Sequence, residues 1–214
     1  MNFDLIIGSL PAFGRGVLYT IGISLSSIAL GALLGFSIHA AYRRFPKQLG
    51  ILYETYIWVI RGTPFLAQLF IAYYGLPAIG VTPSAMQAAV ATLAIYGSAY
   101  FAEIFRASWN SIPKGHAEAA IACGIPPLAV FLKIEMPQAV RYAIPLLVNQ
   151  SIVLIKESSL ASIITVPELT LTAGKIVAET YSFVEPYLLL ALTYWALTYL
   201  TSILGRQIEK SFSR

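Results

Sequence analysis

Long apolar runs alternate along this chain with short polar, basic breaks, the pattern of helices that cross a bilayer. Residues 17–42 carry no Asp, Glu, Lys or Arg. A hydrocarbon core of about 30 Å takes roughly 20 apolar residues of helix, so this run predicts a first span. It holds Gly22, Ser24, Ser26, Ser27, Gly31, Gly35 and Ser37, and small residues let helix backbones approach closely in lipid. The basic stop Arg43-Arg44-Phe45-Pro46-Lys47 ends it. Residues 84–106, 139–160 and 187–204 read as the third, fourth and fifth spans. Between the first and third the pattern breaks. Residues 49–60 include Glu54 and read as an amphipathic elbow. Pro64 removes a backbone donor and disfavours helix at Thr63, which places the second crossing at 64–76, short unless 57–62 contributes. A turn-rich connection follows over 77–83.

The remaining segments are polar or short. Residues 1–16 read as an interfacial stretch before the first span. Their first ten residues carry Asp4 and no base, unlike the positive start of a cleavable signal. Residues 166–186 form a polar connection. Thr165 with Glu168 has the spacing of a capping box, which predicts a short helix starting there. Residues 205–214 are a basic tail.

Composition supports the pattern. The chain is 57% hydrophobic and 11% charged, against about 25% charged in soluble domains. The expectation is a single transmembrane domain over 1–214, an all-α integral membrane protein of about five spans. With the 43–47 break inside, the inner parts collect Arg43, Arg44, Lys47, Arg61, Arg106, Lys114, Lys133, Arg141, Arg206, Lys210 and Arg214, which is 11 of the 14 basic residues. The positive-inside rule then puts the N-terminus out and the C-terminus in. Topology accounts for this basic charge, so it is no sign of nucleic-acid binding.

Several chemistries lack their residues. No Gly-x-x-x-x-Gly-Lys-Ser/Thr loop occurs; Gly174-Lys175 has no upstream glycine at the required spacing, and Ile176 follows. The lone cysteine, Cys123, permits no intrachain disulfide. His39 and His116 have no Cys, Asp or Glu in metal-ligand spacing and are assigned no metal role. No nucleophile with an adjacent base is present.

Two segments are candidates for function. In the loop 113–137, Pro113 suits a helix start, Glu118-Ala119-Ala120 gives a slim helix, Gly124 permits a sharp exit, and Pro126-Pro127 stop continuation. In the fourth span, Asn149 and Lys156 share one face, and Gln150 and Glu157 share the adjacent one. A charge at bilayer depth faces protein or a water-filled cavity. Lys156 and Glu157 are sequence neighbours that do not face each other, so each needs a partner elsewhere. Two roles are open: a substrate path that also includes Ser158, or a structural ion pair. Gln68, one turn after Pro64, is open to the same choice between pore and interhelical hydrogen bond.

The loop resembles the EAA loop of ABC importer permeases. Glu118-Ala119-Ala120, three residues, Gly124, nine residues, Ile134, one residue and Met136-Pro137 match it, with Met136 where Leu is usual. Arg61-Gly62-Thr63-Pro64, Gln68, Tyr74-Gly75-Leu76-Pro77, Glu103-x-x-Arg106, Ser111-Ile112-x-Lys114-Gly115, Lys156-Glu157-Ser158-Ser159-Leu160 and Pro167-Glu168-Leu169 are similar to the motifs of the polar amino-acid and opine uptake permeases. That resemblance implies a type I ABC importer subunit in the bacterial cytoplasmic (inner) membrane, itself not an enzyme. It implies a cytoplasmic coupling helix carrying Gly115, Glu118, Ala119, Ala120 and Gly124, docked on an ATPase subunit dimer that binds ATP and Mg. It also implies a second permease subunit, identical or homologous, an extracytoplasmic solute-binding protein and surrounding lipid. The rivals are a stand-alone secondary transporter or channel, weakened by the lack of an internal repeat, and a non-transporting membrane scaffold.

Overall fold

A computed structural model describes residues 3–212. Residues 1–2 and 213–214, the outer ends of the expected N-terminal segment and tail, lie outside the described residues. Helix α1 (Phe3–Arg44) is continuous, with Pro11 inside it. Residues 3–16 are therefore helical and run straight into the span; they are anchored by Phe13, which packs against Leu169, Ala173 and Ile176.

Helix α4 (Ala85–Asn110) lies alongside α1 and runs parallel to it. Ser27 donates to the Val90 carbonyl (3.2 Å) near one end, and the His39 ring packs at a tilt against Trp109 near the other. The contact needs small residues. Ser24, Ser27, Gly31 and Gly35 are buried, while Gly22, Ser26 and Ser37 point outward. A Cβ on Gly35 would sit 2.7 Å from the Ser98 carbonyl oxygen, closer than real Cβ contacts come. Helix α4 begins with a true capping box. The Ser84 hydroxyl accepts from the Gln87 N–H (3.2 Å), and the Gln87 side chain accepts from the Ser84 N–H (2.9 Å).

The second crossing is broken where Pro64 predicts. Helix α2 (Pro46–Gly62) stops at Thr63, which is extended. Helix α3 (Phe65–Phe70) then continues through a π-helical turn and a 3-10 turn to Ile79. A short helix, α5 (Lys114–Ala122), occupies the following loop. Helix α6 (Pro127–Val130) and a π-helical turn (Phe131–Glu135) lead into α7 (Met136–Glu157), which tightens into a 3-10 turn over Ser158–Ile164.

The predicted capping box at Thr165 is not formed. Thr165 closes the 3-10 turn in the left-handed region (φ 66°), and Glu168 itself caps α8 (Leu169–Thr180). Its carboxylate accepts from the Leu171 N–H (2.8 Å) and the Tyr194 hydroxyl (2.9 Å). Helix α8 wedges between α1 and α9 (Val184–Phe212). Helix α9 turns Leu192, Trp195, Leu200 and Leu204 outward, as lipid-facing side chains do, since lipid tails are as apolar as Leu.

Four helical stretches, Phe3–Arg44, Ala85–Asn110, Pro127–Ile164 and Val184–Phe212, are long and apolar enough to cross a membrane, and Phe65–Ile79 is a shorter apolar helix. The expected five crossings correspond to these. The apolar core joins α1, α3, α4 and α7 through Ile23, Leu69, Leu93, Phe101 and Leu154.

Candidate functional site

The polar flank of α7 finds no partner among the described residues. Asn149 and Lys156 are exposed and Glu157 is half-buried. None of the three makes a hydrogen bond or ion pair among the described residues. The amide nitrogen of Gln150 is buried and unpaired. Each of these groups keeps its full capacity to bind, and a buried polar atom without a partner costs about 1–3 kcal/mol.

The other two expected path residues are placed differently. Ser158 is buried in the seam with α1; it donates to the Ile155 carbonyl (2.8 Å) and lies 3.4 Å from the Ser24 hydroxyl. Gln68 bridges the break in the second crossing. Its amide donates to the Ile60 carbonyl and the Thr63 hydroxyl, both at 2.8 Å. That satisfies a helix end which Pro64 leaves open.

Aromatic hydroxyls on α4 extend the flank toward the basic end. The Tyr96 hydroxyl lies 3.2 Å from that of Tyr100. The Arg61 guanidinium sits over the Tyr100 ring, 5.0 Å from its centroid. Beside it, Glu103 accepts two hydrogen bonds from Arg106 (2.7 and 2.8 Å) and one from the Tyr53 hydroxyl (2.7 Å). The sequence motifs marked Arg61, Glu103 and Arg106 but not Tyr53, Tyr96 or Tyr100. Tyr96 and Tyr100 do carry a signal, the i,i+4 spacing of one helix face. Tyr53 and Glu103 are 50 residues apart, and nothing local announces that pair.

The loop after α4 is a rigid projection. Helix α5 ends in a Schellman turn: the Gly124 N–H donates to the Ile121 carbonyl (2.9 Å) and the Ile125 N–H to the Ala120 carbonyl (3.1 Å). This turn puts the residue after the cap in the left-handed region, and Gly124 has φ +78°. Gly115, Glu118 and Ala119 are exposed, and Ala120 is buried against the loop. Ile121, Leu128 and Leu132 leave apolar surface outside. Two contacts hold the loop to the spans. His116 hydrogen-bonds Gln138 of α7 (2.9 Å). Arg43, at the end of α1, donates to Glu135 (2.7 Å), and its guanidinium lies 4.7 Å from the Trp109 centroid and 5.4 Å from that of Phe131.

Such an arrangement defines a multi-pass, all-helical membrane protein with an unpaired polar flank in one span and a structured loop outside the bundle. The family described as "binding-protein-dependent transport system inner membrane component" matches residues 27–214. The chain belongs to that family and is a permease subunit. It is 37% identical over 212 residues to the probable amino-acid ABC transporter permease protein YckA of Bacillus subtilis (strain 168), covering 99% of this chain and 94% of that protein. It is 36% identical to the L-cystine transport system permease protein TcyB of the same organism, covering 99% and 92%. It is 35% identical to the octopine transport system permease protein OccM of Rhizobium meliloti, covering 92% and 84%. Among solved structures, an amino acid ABC transporter with histidines superposes with a TM-score of 0.92 at 34% identity, over 99% of both chains. The MetNI methionine ABC transporter in an inward-facing conformation shares the fold, with a TM-score of 0.80 at 21% identity.

Proposed function

We propose that this chain forms the translocation path of an ATP-driven importer for polar amino acids or related solutes such as opines. Its partners in that reading are an ATPase dimer that binds ATP and Mg, a second permease subunit and an external solute-binding protein. The observation that carries it is the α7 flank. Among the described residues, a membrane-spanning helix keeps Asn149, Lys156 and Glu157 without hydrogen-bond or ion-pair partners and Gln150 with a buried, unpaired amide. Charges at that depth face a cavity or another chain, and a zwitterionic solute offers both an ammonium and a carboxylate to meet them. Names of the relatives, which include amino-acid, cystine and octopine permeases, support that solute class. Glu157 is the central path residue, with Gln150, Asn149 and Lys156 beside it. Ser158 and Gln68 hold the walls in position.

In this reading the basic end of the bundle is cytoplasmic, so the N-terminus is outside and the C-terminus inside the inner membrane. Support comes from 11 of 14 basic residues falling on that side. Helix α5 is the coupling helix. Gly115, Glu118 and Ala119 present its slim exposed surface to the ATPase, Ala120 seats it on the loop and Gly124 fixes its exit. Closure of the ATPase pair moves the loop, and the Arg43–Glu135 contact passes that movement to α1. Reconstitution of the permease with its ATPase and binding protein should give ATP-dependent uptake of an amino acid such as arginine, glutamine or cystine. Uptake by the permease alone, without ATPase or ATP, would contradict the reading.

A further inference from the structure

A second set of charged groups lies at the basic end, away from the α7 flank. A cavity of about 540 Å³ opens between α2 and α4, lined by Glu54, Trp58, Arg61, Tyr100, Glu103 and Arg106 among others. Within it, Glu103 pairs with two guanidinium groups. It takes two hydrogen bonds from Arg106 and one from Tyr53. Arg61 pairs with it more loosely, at 3.7 Å, too far for a hydrogen bond. Its guanidinium rests over Tyr100 with its N–H groups uncommitted. Glu54, on the same face of α2 as Trp58 and Arg61, makes no hydrogen bond or ion pair among the described residues. The cavity therefore offers a guanidinium held only by a loose ion pair, a carboxylate with no partner among the described residues, and two aromatic walls.

We propose that this cavity binds the zwitterionic head group of an α-amino acid. A guanidinium pairs with a carboxylate through two parallel N–H···O bonds, which assigns the solute carboxylate to Arg61. The solute ammonium goes to Glu54, with the aromatic faces of Trp58 and Tyr100 favouring a cation nearby. The site reads the head group rather than the side chain, because its charges match what all α-amino acids share. It rests on the reading that amino acids are the cargo and the basic end is cytoplasmic; there it is an exit-side site. The Tyr96 and Tyr100 hydroxyls extend its polar wall along α4.

The test uses the purified permease–ATPase complex without nucleotide, in a Glu157→Gln background that removes the α7 carboxylate. Titration calorimetry is run with L-arginine and L-glutamine, and with two arginine derivatives, the decarboxylated amine and the N-acetyl form. L-arginine and L-glutamine should bind with similar affinity. Arg61→Gln should weaken both by about tenfold or more and leave the decarboxylated amine unaffected. Glu54→Gln should weaken both and leave the N-acetyl form unaffected. The melting temperature should stay at that of the parent. Absence of amino-acid binding in the Glu157→Gln complex, or unchanged affinities in both variants, would overturn the site. Uptake by the wild-type complex in proteoliposomes is measured in parallel. Normal ATP-dependent uptake without this binding sinks the exit site alone, whereas absence of ATP-dependent uptake sinks the transport reading.

Discussion

Glu157 and Glu168 flank the same 3-10 turn and are in opposite states. Glu168 is fully buried, receives a backbone N–H and a tyrosine hydroxyl, and caps α8. Glu157 is half-buried on a spanning helix and receives no hydrogen bond or ion pair among the described residues. The seam between α1 and α4 repeats the first state, with small residues in contact along its length and Ser27 bonded across it. The α7 flank repeats the second. Burial with partners builds the bundle, and burial without partners marks the surface where something else must bind. Each prediction attacks one side of that contrast.

The seam should be the most sensitive. Gly35→Val puts a branched side chain where even a Cβ meets the Ser98 carbonyl and Phe101 within 3 Å. Overpacking of this kind costs about 1–3 kcal/mol or more, so yield and melting temperature should both fall sharply. A variant as stable as wild type would show that α1 and α4 do not need this approach.

The loop carrying α5, proposed above to couple the permease to the ATPase, should lose function before stability. A Cβ at Gly124 meets nothing within 4 Å, so the expected cost of Gly124→Val comes from the backbone, about 1–2 kcal/mol for an L-residue forced to positive φ. Gly124→Asn tolerates that conformation better. Uptake should collapse in Gly124→Val and persist largely in Gly124→Asn, with both proteins inserted in the membrane. Equal loss in the two would point away from the turn geometry.

The mildest change concerns Glu168, which lies in the connection between spans. Burial pushes its carboxyl above the usual carboxylate range, against the downward pull of its hydrogen bonds. A raised native pKa means that the folded state holds the proton longer than the unfolded one. Stability is therefore fullest below the unfolded carboxyl pKa and declines as pH rises toward the native one. Glu168→Gln removes that ionisation and can still bond Tyr194. Its melting temperature should vary less with pH across the acidic range than that of wild type. An unchanged pH profile would remove Glu168 as the source.

Much of this was legible in the sequence, because lipid imposes a simple rule on span composition. The charge-free run at 17–42, the break at Thr63-Pro64 and the exit turn at Gly124 all sit where their residues require. Helix ends were harder to read. The Thr165–Glu168 spacing fits a capping box, yet Thr165 closes the preceding turn and Glu168 alone caps α8. The real box, Ser84 with Gln87, carried the same signature and passed unmarked. Helix α9 runs past 204 to Phe212, because a helix does not need lipid around it to continue. Among the expected path residues, Ser158 and Gln68 are polar for local reasons, one in a helix seam and one at a helix break. Composition cannot separate such groups from unpaired ones; only their partners do.

The central claim is that Glu157 meets the solute rather than holding the bundle together. Uptake and melting temperature of Glu157→Gln, measured on one preparation of the assembled transporter, test it directly. The substitution keeps size and hydrogen-bonding atoms and removes the charge. The account predicts strongly reduced uptake with wild-type melting temperature and intact assembly. Full uptake, or a loss of uptake that tracks a loss of thermal stability, would contradict it.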